Sequence, residues 1–112
     1  MIITGKVIEG QKKASGFGFP TANIENTSKI SVGIYAGEIL FDNKKYRTAI
    51  YIGTPRPDIL EAHLIDFIGD LYGKEISVEV LEKIRDDYHE QNFEVLKKMI
   101  ANDVEIIKNY KK

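Results

Sequence analysis

Gly16-Phe17-Gly18-Phe19-Pro20-Thr21-Ala22-Asn23 is the stretch on which the reading of this chain turns. Gly16 and Gly18 let the backbone take a positive φ or approach a ligand closely, while Pro20 removes a donor and drives Phe19 into an extended conformation. The chain therefore leaves this turn as a strand in which Thr21 and Asn23 share one face and Ala22 and Ile24 the other. A hydroxyl and an amide presented side by side, backed by glycine amides, suit a phosphate oxygen together with a hard cation such as Mg²⁺. The same Gly-Pro-Asn cluster is also ordinary turn punctuation, and both readings stand at this point. It is not a Walker A loop, which needs Gly-Lys-Ser/Thr, and Thr21 spoils a match to G-x-G-x-x-G.

Around this stretch the composition sets limits. At 112 residues, 43% hydrophobic and 29% charged, the chain fits one globular domain with a modest core. Its net charge of −1, from 16 basic and 17 acidic residues, implies no bulk attraction to nucleic acid or to an anionic membrane. The absence of cysteine excludes disulfides, thiolate metal sites and thiol nucleophiles, and accords with a cytoplasmic location. Met1 to Lys6 has no signal-peptide character, and no apolar run approaches the length of a membrane span.

Taken outward from the central stretch, the chain reads as short strands and one helix. Residues 2–9 are β-branched enough for a strand, followed by a polar loop, 10–15, whose only charges are Lys12 and Lys13; these are phosphate-contact candidates or solvated loop lysines. Residues 32–41 alternate as a strand with Gly33 and Gly37 on one face, which suggests sharp coiling or a close neighbour, as in a small closed barrel. Asp42-Asn43 turns it into a second strand, 46–52, and the two prolines at Pro55 and Pro57 make 53–58 a rigid loop. Residues 59–67 resume a strand, 75–81 form another, and 85–91 are polar. Asn92 caps a helix from Phe93 to about Tyr110, with Phe93, Leu96, Ile100, Val104 and Ile107 as its apolar stripe.

On the 59–67 strand, Glu61, His63 and Ile65 share one face, and Leu60, Ala62, Leu64 and Asp66 the other. If that face lines a cleft, Glu61 is a candidate general base and His63 its orienting or structural partner; if it faces solvent, both are surface residues. As a zinc site the pair is poor, since the third ligand would have to be His89 or an unplaced carboxylate.

With both ends of the pattern in view, the chain resembles the riboflavin kinase family in its ATP-using bacterial and eukaryotic form. Gly18-Phe19-Pro20-Thr21-Ala22-Asn23-Ile24 resembles the family's G-[FIY]-P-T-A-N-[ILF], and Gly33-Ile34-Tyr35-Ala36-Gly37 its G-[VI]-Y-x-G. Ile52-Gly53-Thr54-Pro55 is similar to its N-I-G-T-x-P region. Glu61-Ala62-His63-Leu64-Ile65-Asp66-Phe67, followed by Asp70-Leu71-Tyr72-Gly73, is similar to E-[AT]-H-[IL]-x-D-F with its D-[LF]-Y-G. Ile84-Arg85 and the terminal helix close the series.

The resemblance implies a mainly β fold: one domain over residues 1–112, a six-stranded Greek-key barrel with a C-terminal helix packed on it. It implies transfer of the γ-phosphoryl group of Mg-ATP to the ribityl 5′-hydroxyl of riboflavin, giving FMN. Thr21 and Asn23 match positions that bind Mg²⁺ and nucleotide phosphates, and Glu61 matches the catalytic base. Gly10, Lys12, Gly16 and Gly18 belong to the loop assigned to the nucleotide, to which Leu64, Asp66 and Tyr72 are added. Arg85, Tyr88 and Glu90 fall on the flavin loop. The family's Gly-Arg-Gly is absent ahead of the central stretch, and Glu90 stands, on an ungapped count, where the family has a flavin-contacting Phe. The alternative is a non-catalytic flavin- or nucleotide-binding module of the same fold. Small molecules are the expected partners, with neither nucleic acid nor membrane, and a monomer is favoured.

Overall fold

Among the described residues, six strands and one helix follow in the order β1 (Ile2–Lys6), β2 (Thr21–Glu25), β3 (Gly33–Phe41), β4 (Lys44–Ile52), β5 (Ile59–Leu64), β6 (Glu75–Arg85) and α1 (Phe93–Lys108). The structure, a computed structural model, describes residues 1–8, 21–54, 56–67, 69, 71–87 and 92–110. All the strand pairs are antiparallel, in the spatial order β1-β6-β3-β4-β5-β2. β3, β4 and β5 form a meander, with β2 placed beside β5 and β6 beside β3, so that two Greek keys overlap. An isolated bridge between Ile8 and Asn23, with the Ile8 amide donating to the Asn23 carbonyl at 2.8 Å, draws the two edges together into a nearly closed barrel.

The β3–β4 hairpin turns at Asp42 and Asn43, with φ of 53° and 64°. Positive φ at both central residues matches the right-handed twist of the flanking strands, and Asp and Asn tolerate that region better than most residues. The coiling expected at the β3 glycines is found at Gly37. There the β3–β6 register slips between Ala36 and Gly37, and a Cβ would lie 2.7 Å from the Glu79 carbonyl oxygen and against the Ile50 side chain.

Alternation along these strands divides the molecule into two apolar layers. The barrel interior holds Ile3, Val7, Ala22, Ile24, Tyr35, Ile39, Ile50, Ile52, Leu60, Ala62, Leu64, Leu71, Ile76 and Val78. On the outer face, Ala36, Ala49 and Ile65 meet Ile107, with Tyr51, Leu81, Ile84, Val104 and Tyr110 packed around them. Ala36 and Ala49 are opposed in the β3–β4 register, and their small side chains let the helix come close to the sheet. β3 is consequently buried on both faces over its first half.

Several boundaries differ from those the sequence suggests. β1 ends at Lys6, and Ile8 takes part only in the bridge. β5 ends at Leu64 because Asp66 adopts a left-handed φ of 61°, which turns the chain and exposes a side chain that strand alternation would set on one face with Leu60, Ala62 and Leu64. β6 runs on to Arg85, since the polar residues Glu82, Lys83 and Arg85 keep pairing with Ala36, Tyr35 and Ile34 of β3. The Asn92 side chain accepts from the Val95 amide as the helix N-cap. Phe93, however, is 56% exposed, and the buried positions of the helix are Ile100, Asp103 and Ile107.

Candidate active site

Opposed residues of an antiparallel pair project to the same face, with Cβ atoms about 4.5–5.5 Å apart. The register sets Asn23 opposite Glu61 and Glu61 opposite Tyr51, then Tyr51 opposite Ile34 and Ile34 opposite Arg85. A parallel row runs from Thr21 through His63 to Ala49. Both rows lie on the outer face, because the intervening residues Ala22, Ile24, Leu60 and Ala62 fill the interior. The pairing of β2 with β5 thus brings the hydroxyl and amide of the central stretch beside the carboxylate and imidazole of β5.

The groups in these rows are unequally shielded. His63 is 2% exposed, and its Nε2 lies 2.7 Å from Glu61 Oε1, whose side chain retains 24% exposure. With Glu61 as carboxylate, the imidazole N–H donates. Asn23 is buried, and its Oδ1 has no hydrogen-bond partner among the described residues; the same holds for His63 Nδ1. Arg47 Nη1 is likewise buried without a partner among the described residues, but of these atoms Asn23 Oδ1 is the oxygen beside the Glu61 carboxylate, and a buried oxygen without a partner marks a place where something else supplies the contact.

Behind His63 stands an assembly that connects β4, β6 and α1. The Tyr51 ring stacks on the imidazole at 4.2 Å between centroids with 29° between planes. The Tyr51 hydroxyl donates to Asp103 Oδ2 at 3.0 Å. Arg85 closes a bidentate pair on the same carboxylate, with Nε to Oδ1 and Nη2 to Oδ2, both at 2.8 Å. Asp103 is 1% exposed, so the guanidinium and the phenol together satisfy a buried charge. The Arg85 guanidinium is thereby committed to the helix, and its Nη1 also donates to the Asp86 carbonyl at 3.1 Å.

Burial pushes the Tyr51 hydroxyl well above its ordinary value of 10.0, and the Asp103 charge and hydrogen bond push it further. The folded state therefore keeps a proton that the unfolded state releases near pH 10, so the stabilisation is fully present below that pH and is lost as pH rises above it. Thermal melts between pH 9 and 11 should show a steeper alkaline fall for the parent than for Tyr51→Phe. Parallel falls would mean that this hydroxyl does not contribute.

The remaining candidates are placed as follows. Leu64 is buried in the barrel core, so only its backbone can face a nucleotide. Asp66 is exposed in the turn after β5. Tyr72 is 57% exposed on a turn tied to the residue that follows β1 by the Gly73 amide, which donates to the Val7 carbonyl at 3.1 Å. Gly10, Lys12, Gly16, Gly18, Tyr88 and Glu90, and His89 with them, lie outside the described residues.

No motif in the sequence points to Tyr51 or Asp103. A signal for Asp103 was present: it lies three residues after Ile100 and four before Ile107, a carboxylate on the buried side of an amphipathic helix. For Tyr51 there was none beyond its place in a strand.

The Flavokinase family model, described as riboflavin kinase, matches residues 1–111. The chain is 36% identical over 118 aligned positions to the bifunctional riboflavin kinase/FMN adenylyltransferase of Buchnera aphidicola subsp. Schizaphis graminum, covering 96% of this chain and 38% of that protein. It is 37% identical to the protein of the same description from Escherichia coli K12, covering 90% of this chain and 35% of that one. The chain thus spans less than two-fifths of the length of these relatives. Among solved structures, a riboflavin kinase from Trypanosoma brucei superposes with a TM-score of 0.67 at 24% identity, over 96% of this chain and 77% of that one. A Streptococcus pneumoniae structure described as a macrolide-efflux protein superposes with a TM-score of 0.83 at 24% identity, over 98% of this chain and 37% of that one. At these identities the two structures establish the fold, while the family model and the sequence relatives establish the lineage: the chain belongs to the riboflavin kinase family.

Proposed function

We propose that this chain transfers the γ-phosphoryl group of Mg-ATP to the ribityl 5′-hydroxyl of riboflavin. The hydroxyl oxygen forms a bond to the γ-phosphorus, the bond from that phosphorus to the β,γ-bridging oxygen breaks, and the products are FMN and ADP. Glu61 accepts the hydroxyl proton. The observation that carries this reading is the pairing of a partly exposed carboxylate, Glu61, directly opposite Asn23, whose buried Oδ1 has no partner among the described residues. A proton acceptor and an unused oxygen ligand on adjacent strands fit a reaction that needs a positioned base beside neutralised phosphates.

Mg²⁺ suits the donor set. It takes oxygen ligands, usually one or two from protein and the rest from phosphates and water, and the Thr21 hydroxyl and Asn23 Oδ1 are such ligands. Held there with ATP, it would neutralise charge on the phosphates being separated. Thr21→Val and Asn23→Leu should each weaken Mg-ATP binding about tenfold or more, since each replaces an oxygen ligand by apolar atoms and a lost charge-assisted contact is worth about 1.5–3 kcal/mol. Calorimetric titration checks this, and parent-like affinity in either variant would place the cation elsewhere.

Incubation with riboflavin and Mg-ATP, followed by chromatographic separation of the flavins, tests the activity. FMN formation supports it; riboflavin retained by the protein without FMN would favour a non-catalytic binding module. We place the activity in the cytoplasm, in a monomer acting on small molecules, and gel filtration checks the oligomeric state. Among the described residues no helix is long and apolar enough to cross a membrane.

A further inference from the structure

We propose that His63 is the positioning residue for the base Glu61, and that α1 sets it in place through Asp103 and Tyr51. The proposal rests on the phosphoryl-transfer reading above. A glutamate on an outward strand face must have every side-chain torsion fixed before one of its oxygens meets a substrate hydroxyl. Here Oε1 is held by His63 Nε2 at 2.7 Å, which leaves Oε2 to face the hydroxyl.

His63 can act this way only if its own ring is fixed and carries its proton on the right nitrogen. The stack on Tyr51 fixes the ring plane, at 4.2 Å and 29°. The Tyr51 ring is pinned in turn by its hydroxyl bond to Asp103, which Arg85 grips from β6. Nδ1 of His63 is buried and has no partner among the described residues, whereas Nε2 has the carboxylate as acceptor; the tautomer protonated on Nε2 is the one this surrounding accommodates. The base is thus connected to the C-terminal helix through the Glu61–His63 hydrogen bond, the ring stack and the Tyr51–Asp103 hydrogen bond, although Asp103 is remote from Glu61 in the sequence.

Two substitutions separate positioning from packing. His63→Phe keeps a ring against Tyr51 and removes the donor, and His63→Gln keeps an N–H donor of similar reach and removes the ring. If the hydrogen bond to Glu61 is what matters, His63→Phe should lower kcat about 10- to 100-fold with KM for ATP within about twofold, the scale expected when a reacting group is displaced by about 1 Å. His63→Gln should recover most of that loss. A residue that merely fills space would give the reverse order, with Phe closer to the parent, and that result would overturn the proposal. Equal kcat in all three proteins would overturn it as well.

A readout without turnover keeps the contact itself in view. In the parent labelled with ¹⁵N-histidine, the proton on His63 Nε2 should be protected from exchange and visible by NMR, and it should be lost or shifted in Glu61→Ala. Loss of FMN formation in the parent would overturn the functional reading, and the positioning role in that reaction with it. A protected Nε2 proton would then still show the contact to exist. Conversely, an active parent with no protected Nε2 proton would refute the positioning proposal alone.

Discussion

Glu61→Gln should form FMN about 10²- to 10⁴-fold more slowly than the parent, with affinity for Mg-ATP nearly unchanged. The substitution is chosen to remove basicity and little else. A glutamine side chain has the same length, and its Oε1 can still accept from His63 Nε2, which lies 2.7 Å from the carboxylate oxygen in the parent. The carbonyl oxygen of an amide cannot take up the hydroxyl proton at neutral pH. The breadth of the range follows from the chemistry: in a loose phosphoryl-transfer transition state much of the acceleration comes from alignment and charge neutralisation, which the substituted amide would leave in place. Steady-state kcat and KM, with calorimetric ATP binding on the same preparations, check the result. A proportional fall in binding and rate would identify Glu61 as a structural residue of β5.

What the sequence revealed about this site depended on how local the cause was. Thr21 and Asn23 could be placed on one face because Pro20 forces the preceding residue to be extended and a strand alternates thereafter. Glu61 and His63 followed from the same alternation, and the Asp42-Asn43 turn from its tolerance of positive φ. The end of β5 was not legible, because the left-handed conformation of Asp66 is imposed by the turn it must make and not by its neighbours in sequence. Nor was the length of β6: Glu82, Lys83 and Arg85 look like loop residues until β3 is present to pair with them. The same holds most strongly for the assembly behind the base. Arg85, Asp103 and Tyr51 are far apart in the chain, and the apolar stripe assigned to the helix ran through Phe93, which is exposed, and past Asp103, which is buried.

Arg85→Ala should lower the stability of the fold by about 3 kcal/mol, a large share of the roughly 5–15 kcal/mol of a typical domain. The loss comes from what is left behind. Asp103 is 1% exposed, and without the guanidinium its carboxylate keeps only the Tyr51 hydroxyl as a hydrogen-bond donor among the described residues. Arg85 retains 26% exposure, so water entering at its position relieves part of the deficit and holds the expected value at the low end for a broken buried pair. The double variant Arg85→Met, Asp103→Leu removes both charges together and should regain part of the loss, because well-packed apolar residues often replace a buried ion pair at little cost while the Tyr51 hydroxyl loses its acceptor. Urea unfolding of the parent, both single variants and the double variant gives the coupling energy directly from the midpoints, provided the slopes agree. If Arg85 served chiefly to contact flavin, the single variant would keep the parent's midpoint and lose riboflavin affinity. The bidentate 2.8 Å pair with Asp103 predicts the opposite order, with stability lost first and flavin binding affected only as a consequence of that loss.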